Sequence, residues 1–273
     1  MDSISVRKMT FDFPEDMELV FLDNDPDLSI YFLGAWMSLP YLEPYLIKNV
    51  RRAADEITDT ALAERIKLFC AQEGVHFREH AKANDVIRAA HPQFAVMKEL
   101  EEELRAEYER FTETKSLRWN LAYAEAFESF TTAGAITQFE MRIFDHMVAP
   151  LGDLFAWHVM EELEHRTVAY EALEAVEPSY WYRVLVGTRC LMHYLRWSFK
   201  LSAAMAEAAP EIMKQPIGKA EKKRRNKLRR TLLLRTFPRT LRVFSPRYHP
   251  RHLALPDSFY EVQSKYDEIV AGS

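Results

Sequence analysis

The sequence predicts an all-α chain. Three observations carry this: only 7 of 273 residues are glycine, the helix formers Ala, Leu, Glu, Lys and Arg are abundant, and no alternating apolar run is bounded by turn residues. The length suits one large domain, or one domain with an appendage, and a sizeable core. Cys70 and Cys190 lie in apolar helical contexts. That usage fits a reduced intracellular protein with buried thiols rather than a disulfide framework. Asp2, Asp12, Glu15 and Asp16 stand where a signal peptide would carry its apolar core, so a cytoplasmic location is expected.

The first element, residues 1–25, reads as an arm packed through Phe11, Phe13, Val20 and Phe21, with no chemistry assigned to it. Apolar residues at helical spacing then run from Ile30 to Ile57, interrupted by Pro40 and Pro44; a helix beginning near Pro40 holds both prolines in its first turns, with Glu43 between them. A second helix is expected from a cap at Thr58, Asp59 or Thr60 to Ala90, before His91 and Pro92. It carries Glu73, His76 and His80 on one face. Pro92 to Phe111 forms an amphipathic helix whose acidic run, Glu99, Glu101, Glu102 and Glu103, is expected in solvent. Ser116 to Phe144 forms a mostly apolar helix with Glu125 and Glu128 on one side, and one of the two is expected to join the site.

Pro150 opens a helix ending near Glu177, and its stretch LFAWHVMEELEHRTVAY places His158, Glu162 and His165 at i, i+4 and i+7. Phe155, Val159, Val168 and Ala169 flank this stripe, so it faces inward, where a carboxylate and two imidazoles are costly without a partner, of which a cation is the simplest. The adjacent Glu161 and Glu164 lie off that face and are expected to support it or to be solvated. Ser179 to Ala209 is a further helix, too charged to span a membrane. From Lys214 to His252 there are fourteen Lys or Arg against a single acid, Glu221, so this stretch carries +13 and the rest of the chain −18. A basic helix interleaved with leucines either docks on the bundle or meets an anionic membrane surface at the inner face. No base-reading module accompanies the charge, so specific nucleic-acid binding is not expected.

Four helices thus each bring ligand groups: Glu43; Glu73 with His76; Glu125 or Glu128; and His158, Glu162 and His165. One carboxylate from each of two helices and a Glu/His pair from each of two others is the di-metal pattern of a ferritin-like four-helix bundle. The expected fold is therefore such a bundle with additional C-terminal helices, divided as an arm (1–25), the bundle with accessory helices (26–210) and a basic helix and tail (211–273). Hard oxygen donors with a minority of imidazoles favour two iron ions, with manganese or zinc as alternatives.

The runs WHVMEELEHRTVAYE, QEGVHFREH, AFESFTTA, LPYLEPYLIKNVR and SPRYHP resemble the bacterial family labelled predicted metal-dependent hydrolases, over about Phe32 to Pro250. The resemblance implies ligands at Glu43, Glu73, His76, Glu128, Glu162 and His165, and His158 matches a family position. Leu42 and Ser129 depart from the family pattern, which bears on pocket shape rather than on ligands. In ligand pattern alone, four glutamates and three histidines are also similar to the di-iron arylamine N-oxygenases, where the third imidazole would be His158.

Two enzymatic expectations follow. The first is a di-iron, O2-dependent oxygenase acting on a small apolar or aromatic substrate, supplied by an external electron donor, with Tyr123, Phe127, Phe155 and Trp157 lining its pocket. The second is metal-assisted hydrolysis, with Glu125 as base or ligand support. His80 joins the catalytic candidates from its place on the ligand side, while His193 is expected to be structural. A non-enzymatic metal-binding or membrane-associated protein is the third expectation. Nucleophilic triads, H-E-x-x-H and glycine-rich phosphate loops are absent from the sequence.

Overall fold

The computed structural model describes residues 4–214 and 217–272. The expectations for the arm, the basic segment and the tail at residues 1–3, 215–216 and 273 lie outside the described residues. The fold is all-α, and the described residues form no strand beyond one isolated bridge, Leu22 to Met147. Its helices are α1 (Pro26–Trp36), α2 (Leu39–Ala53), α3 (Thr60–Ala90), α4 (Met97–Thr114), α5 (Leu117–Glu140), α6 (Leu151–His165), α7 (Val168–Val176), α8 (Tyr180–Ala208), α9 (Pro210–Met213), α10 (Lys219–Val243) and α11 (Asp257–Ala271).

Local chemistry sets most boundaries. Asp59 caps α3, accepting from the N–H groups of Ala61 (2.9 Å) and Leu62 (3.2 Å), and Ser116 caps α5 through Trp119 N–H. Pro40 lies in the first turn of α2, whereas Pro44 sits inside the helix. α5 stops at Glu140, earlier than the apolar pattern suggests, because Arg142 turns left-handed at φ 50° and redirects the chain into a 3₁₀ turn. The helix expected to run unbroken from Pro150 to Glu177 is broken after His165. At the break the Arg166 guanidinium folds back and donates to the Leu163 carbonyl.

α2, α3, α5 and α6 form the bundle: α2 packs on α3 and α5, and α6 on α5 and α3. Around it, α7 closes on α5 and α3, α8 on α1 and α5, α10 on α5, and α11 on α6. Gly34 permits the α1–α8 crossing, since a Cβ there would lie 2.5 Å from the Ser202 Cα. Fully buried Leu42, Leu46, Phe69, Tyr123 and Trp157 fill the space between the helices.

The arm packs as expected through Phe11, Phe13 and Phe21, with Val20 only half-buried, and the burial extends to Met9, Met17, Leu19 and Leu22; Phe11 packs on Trp157 with ring centroids 5.5 Å apart. Its backbone is pinned to α3, with Phe11 N–H donating to Glu79 (3.0 Å) and Arg78 donating to the Met9 carbonyl (3.1 Å). Within the acidic run of α4, Glu101 is buried rather than solvated. It accepts from Tyr41 OH (2.7 Å) and pairs with Arg88 (2.5 Å), so a partner from α3 draws it inward.

Candidate metal centre

Glu43, between Pro40 and Pro44 on α2, is 1 % exposed. Glu73 and His76, one turn apart on α3, Glu128 on α5, and His158, Glu162 and His165 on α6 converge on it, all buried. Four sets of their donor atoms each lie within 4.8 Å of one another: Glu73, Glu128, Glu162 and His165; His76, His158 and Glu162; Glu43, Glu73 and His76; Glu43, His80 and His158. Glu162 sits between two of them, with Oε1 3.2 Å from His158 Nε2 and 3.6 Å from His165 Nε2. His165 Nε2 is also 3.2 Å from Glu73 Oε1 and 3.3 Å from Glu128 Oε2. All seven residues expected as ligands therefore meet in one place.

Of the two helix-α5 glutamates left open by spacing, Glu128 faces the cluster and Glu125 does not. Glu125 turns toward α8, accepting from Ser129 Oγ (2.9 Å) and pairing with Arg183 (3.4 Å), so it stands apart from the four sets. His80 is brought in: its Nε2 shares a 2.8 Å hydrogen bond with His158 Nδ1. Of the aromatic candidates, Trp157 presents its edge to His76 at 4.7 Å and Phe155 packs on Trp36 and Phe32. Phe127 packs on Tyr194, and Tyr123 hydrogen-bonds His193 Nδ1 (2.7 Å), whose Nε2 binds Glu107 (2.7 Å).

Both oxygens of Glu43, Glu73 and Glu128, together with His76 Nδ1 and His165 Nε2, are buried without a hydrogen-bond partner. Leaving so many carboxylate oxygens unpaired in a packed interior is costly unless protons or cations compensate them. Burial pushes Glu43 and Glu73 well above the usual carboxylate range, helped by Glu162, and pushes Glu128 up to about 7. Glu162 goes the other way: burial acts to raise it, but His165 and His158 hold it well below its ordinary value. His76 and His80 are lowered by burial and by facing His158. Burial also opposes a charged His165, yet Glu162 and Glu128 raise it well above the ordinary imidazole.

The outer nitrogens of the imidazoles are held. His76 Nε2 lies 3.0 Å from Glu161 Oε2, and His165 Nδ1 donates to Gln72 Oε1 at 3.0 Å, so the unpartnered nitrogens face the cluster. This is how proteins fix the tautomer and the ring angle of a metal-binding histidine. One residue ties both supports together. Arg7, 2 % exposed, donates to Glu161 (3.0 Å) and through both terminal nitrogens to Glu164 (3.0 and 2.7 Å), and Glu164 accepts from Gln72 Nε2 (2.8 Å). Burial opposes the charge of Arg7, but Glu164 and Glu161 raise it beyond its ordinary range. On the far side, Thr131 Oγ donates to Glu162 Oε2 at 3.1 Å.

Glu161 and Glu164 are thus buried supports rather than solvated neighbours. Arg7 and Gln72 escape a reading of the sequence. Nothing in the arm's sequence marks Arg7 as the cation that meets Glu161 and Glu164.

The model of a family described as predicted metal-dependent hydrolase matches residues 5–253. Neither a curated protein nor a solved structure matches the chain.

Proposed function

The chain belongs to the predicted metal-dependent hydrolase family, and from that premise we propose that it hydrolyses a small substrate at a pair of divalent cations. The observation that carries the reading is the set of buried, unpartnered carboxylate and imidazole atoms turned toward one another from four helices. Their chemistry fits such ions: oxygen donors outnumber nitrogen, and no thiolate contributes, which suits iron or manganese better than a structural zinc. Glu73, Glu128, Glu162 and His165 would hold one ion, and Glu43, His76 and His158 the other, with Glu162 shared. When bound, the ions supply Lewis acidity, which polarises the scissile group and lowers the pKa of water.

The remaining work falls to the chain itself. Gln72 and Glu161 orient His165 and His76, and Thr131 holds the outer oxygen of Glu162. His80, its imidazole lowered well below the ordinary value by burial, shares a hydrogen bond with His158 Nδ1 and holds the angle of that ring. Phe32, Trp36 and Phe155 pack over that end and exclude bulk water.

One observation favours a second reading, O2-dependent oxidation of a small apolar substrate at two irons with an external electron donor: the cluster is wholly buried, with Trp36, Phe69 and Trp157 against His80, His165 and His76, a setting that protects reactive chemistry. Metal analysis of the purified protein, followed by parallel assays, separates the two. Turnover of chromogenic esters, amides or phosphoesters that chelator abolishes and Mn(II) or Fe(II) restores supports hydrolysis. Oxygen uptake by the Fe(II)-loaded protein, with a transient absorption band and no hydrolytic turnover, sinks it in favour of oxidation.

A further inference from the structure

α10 holds to the bundle by one face only. Arg225 and Val243 are buried, Leu228 and Leu232 are half-buried, and Arg229 and Arg239 reach back to Asp25, Asp27 and Glu140. At about 100° per residue, the opposite face carries Lys219, Lys223, Lys227 and Arg230 along the first half and Leu233, Leu234, Phe237 and Leu241 along the second. All eight are exposed, and the apolar four show between 53 % and 64 % of their surface. None of the four cations makes an ion pair among the described residues, in contrast to the inward-facing arginines. Four large apolar side chains beside four uncompensated cations is an expensive surface to leave in water.

We propose that this outer face of α10 docks the protein on an anionic phospholipid bilayer, lying in the plane of the interface. Charge complementarity selects this occupant. The stretch 214–252 carries +13 and the rest of the chain −18, so an anionic surface attracts α10 and repels the body, which fixes the orientation. The apolar half then enters the headgroup boundary while the basic half stays among the phosphates. Nucleic acid would use the cations but would leave the leucines and Phe237 in water, and a second copy of this chain would bring like charge against the basic half. No described helix is long and apolar enough to cross a membrane, so the attachment is peripheral.

Co-sedimentation of the full chain with vesicles tests this. Phosphatidylglycerol–phosphatidylcholine vesicles at low salt are expected to bind it, and pure phosphatidylcholine vesicles to bind it at least tenfold more weakly. Leu233→Ser with Leu234→Ser and Phe237→Ser should lower partitioning on the order of a hundredfold. Lys223→Gln with Lys227→Gln and Arg230→Gln should lower it by a similar factor, at about fivefold per cation near an anionic surface. All six positions are exposed, and an unchanged thermal melt confirms folding. Equal binding to both vesicle types, or apolar variants that bind as well as the parent, overturns the proposal. So does apolar-face-dependent self-association in sedimentation velocity with no vesicle binding, which would assign the face to a second copy. Binding to duplex DNA that the serine variants leave untouched, again without vesicle binding, would assign it to phosphate recognition.

Discussion

Replacing Arg7 with Met separates the support of the centre from the centre itself. Arg7 is not in the cluster, yet it is the cation that faces both Glu161 and Glu164, and through them His76 and His165. Removing it leaves two buried carboxylates without their cation, a change that costs about 3–5 kcal/mol when one partner of a buried pair is lost. The link from Arg7 to Asp267 adds little, because Asp267 is half-exposed. For a chain of this size the melting temperature should fall on the order of 10 °C. Loss of a group that orients a metal-binding histidine typically lowers affinity about 10- to 100-fold. Isothermal titration of metal-stripped protein with Mn(II), run below the lowered melting temperature, should therefore show weaker binding of the ion that His76 or His165 holds. Arg7→Lys keeps the charge but loses the fork that spans both glutamates, and should fall between Met and the parent. If Arg7→Met melts early but binds Mn(II) within twofold of the parent, the arm only packs and does not position the imidazoles.

Removing metal should also change how stability depends on pH. A group raised in the folded state holds more protons there than in the unfolded chain, so its contribution is full below the unfolded value of 4.5 and is lost as pH rises through the folded one. Glu128, up to about 7, contributes on the order of 3 kcal/mol by this route; Glu43, Glu73, Glu161 and His165 act in the same direction, the lowered imidazoles of His76 and His80 act against them, and Glu162, lowered, acts only below the usual carboxylate range. Chelated protein should therefore show a higher urea midpoint at pH 5 than at pH 7.5, and Mn(II) should abolish or reverse the difference; a rise with pH in the chelated sample would contradict the assignment. Gly34→Ala should destabilise by about 1–3 kcal/mol in chemical denaturation, because the new Cβ meets the Ser202 backbone rather than a yielding side chain. Glu125→Gln should leave metal stoichiometry unchanged by elemental analysis, since its carboxylate answers Arg183 rather than the cluster; loss of an ion would place it back in the site.

Five residues of the cluster were legible because they obey a rule that a sequence exposes. His158, Glu162 and His165 fall on one face by helical period alone, and Glu73 and His76 do the same. Spacing could not choose between Glu125 and Glu128, because residues three apart share a side of a helix but not a direction; the neighbour decides, and Arg183 of α8 claims Glu125. The break after His165 was hidden for a similar reason. No glycine or proline announces it; what marks it in the structure is the Arg166 side chain folded back onto the Leu163 carbonyl. Contacts of long sequence separation, such as Arg7 with Glu164 or Arg88 with Glu101, have no periodic signature at all.

The arm is therefore the part of the molecule whose role the sequence least suggests, and its burial has a consequence for folding. Arg7 reaches Glu161 and Glu164 only when Phe11 and its neighbours are seated against Trp157 and α3. The arm and the inner carboxylates answer opposite demands: Arg7 satisfies the outer pair, and the unpartnered oxygens of Glu43, Glu73 and Glu128 require compensation of their own. Cations bound there stabilise the folded state by mass action, because the unfolded chain offers no assembled site. On the proposed assignment they would bind best when His76 and His165 are already aimed, an arrangement the seated arm supports through Arg7. Arm closure and metal loading should thus be mutually favourable, each strengthening the other by the same factor. That reciprocity can be read directly: proteolysis at the arm should slow when Mn(II) is added to the parent protein, and the protection should shrink in Arg7→Met. Equal cleavage of the parent with and without metal would show that the arm and the centre are independent.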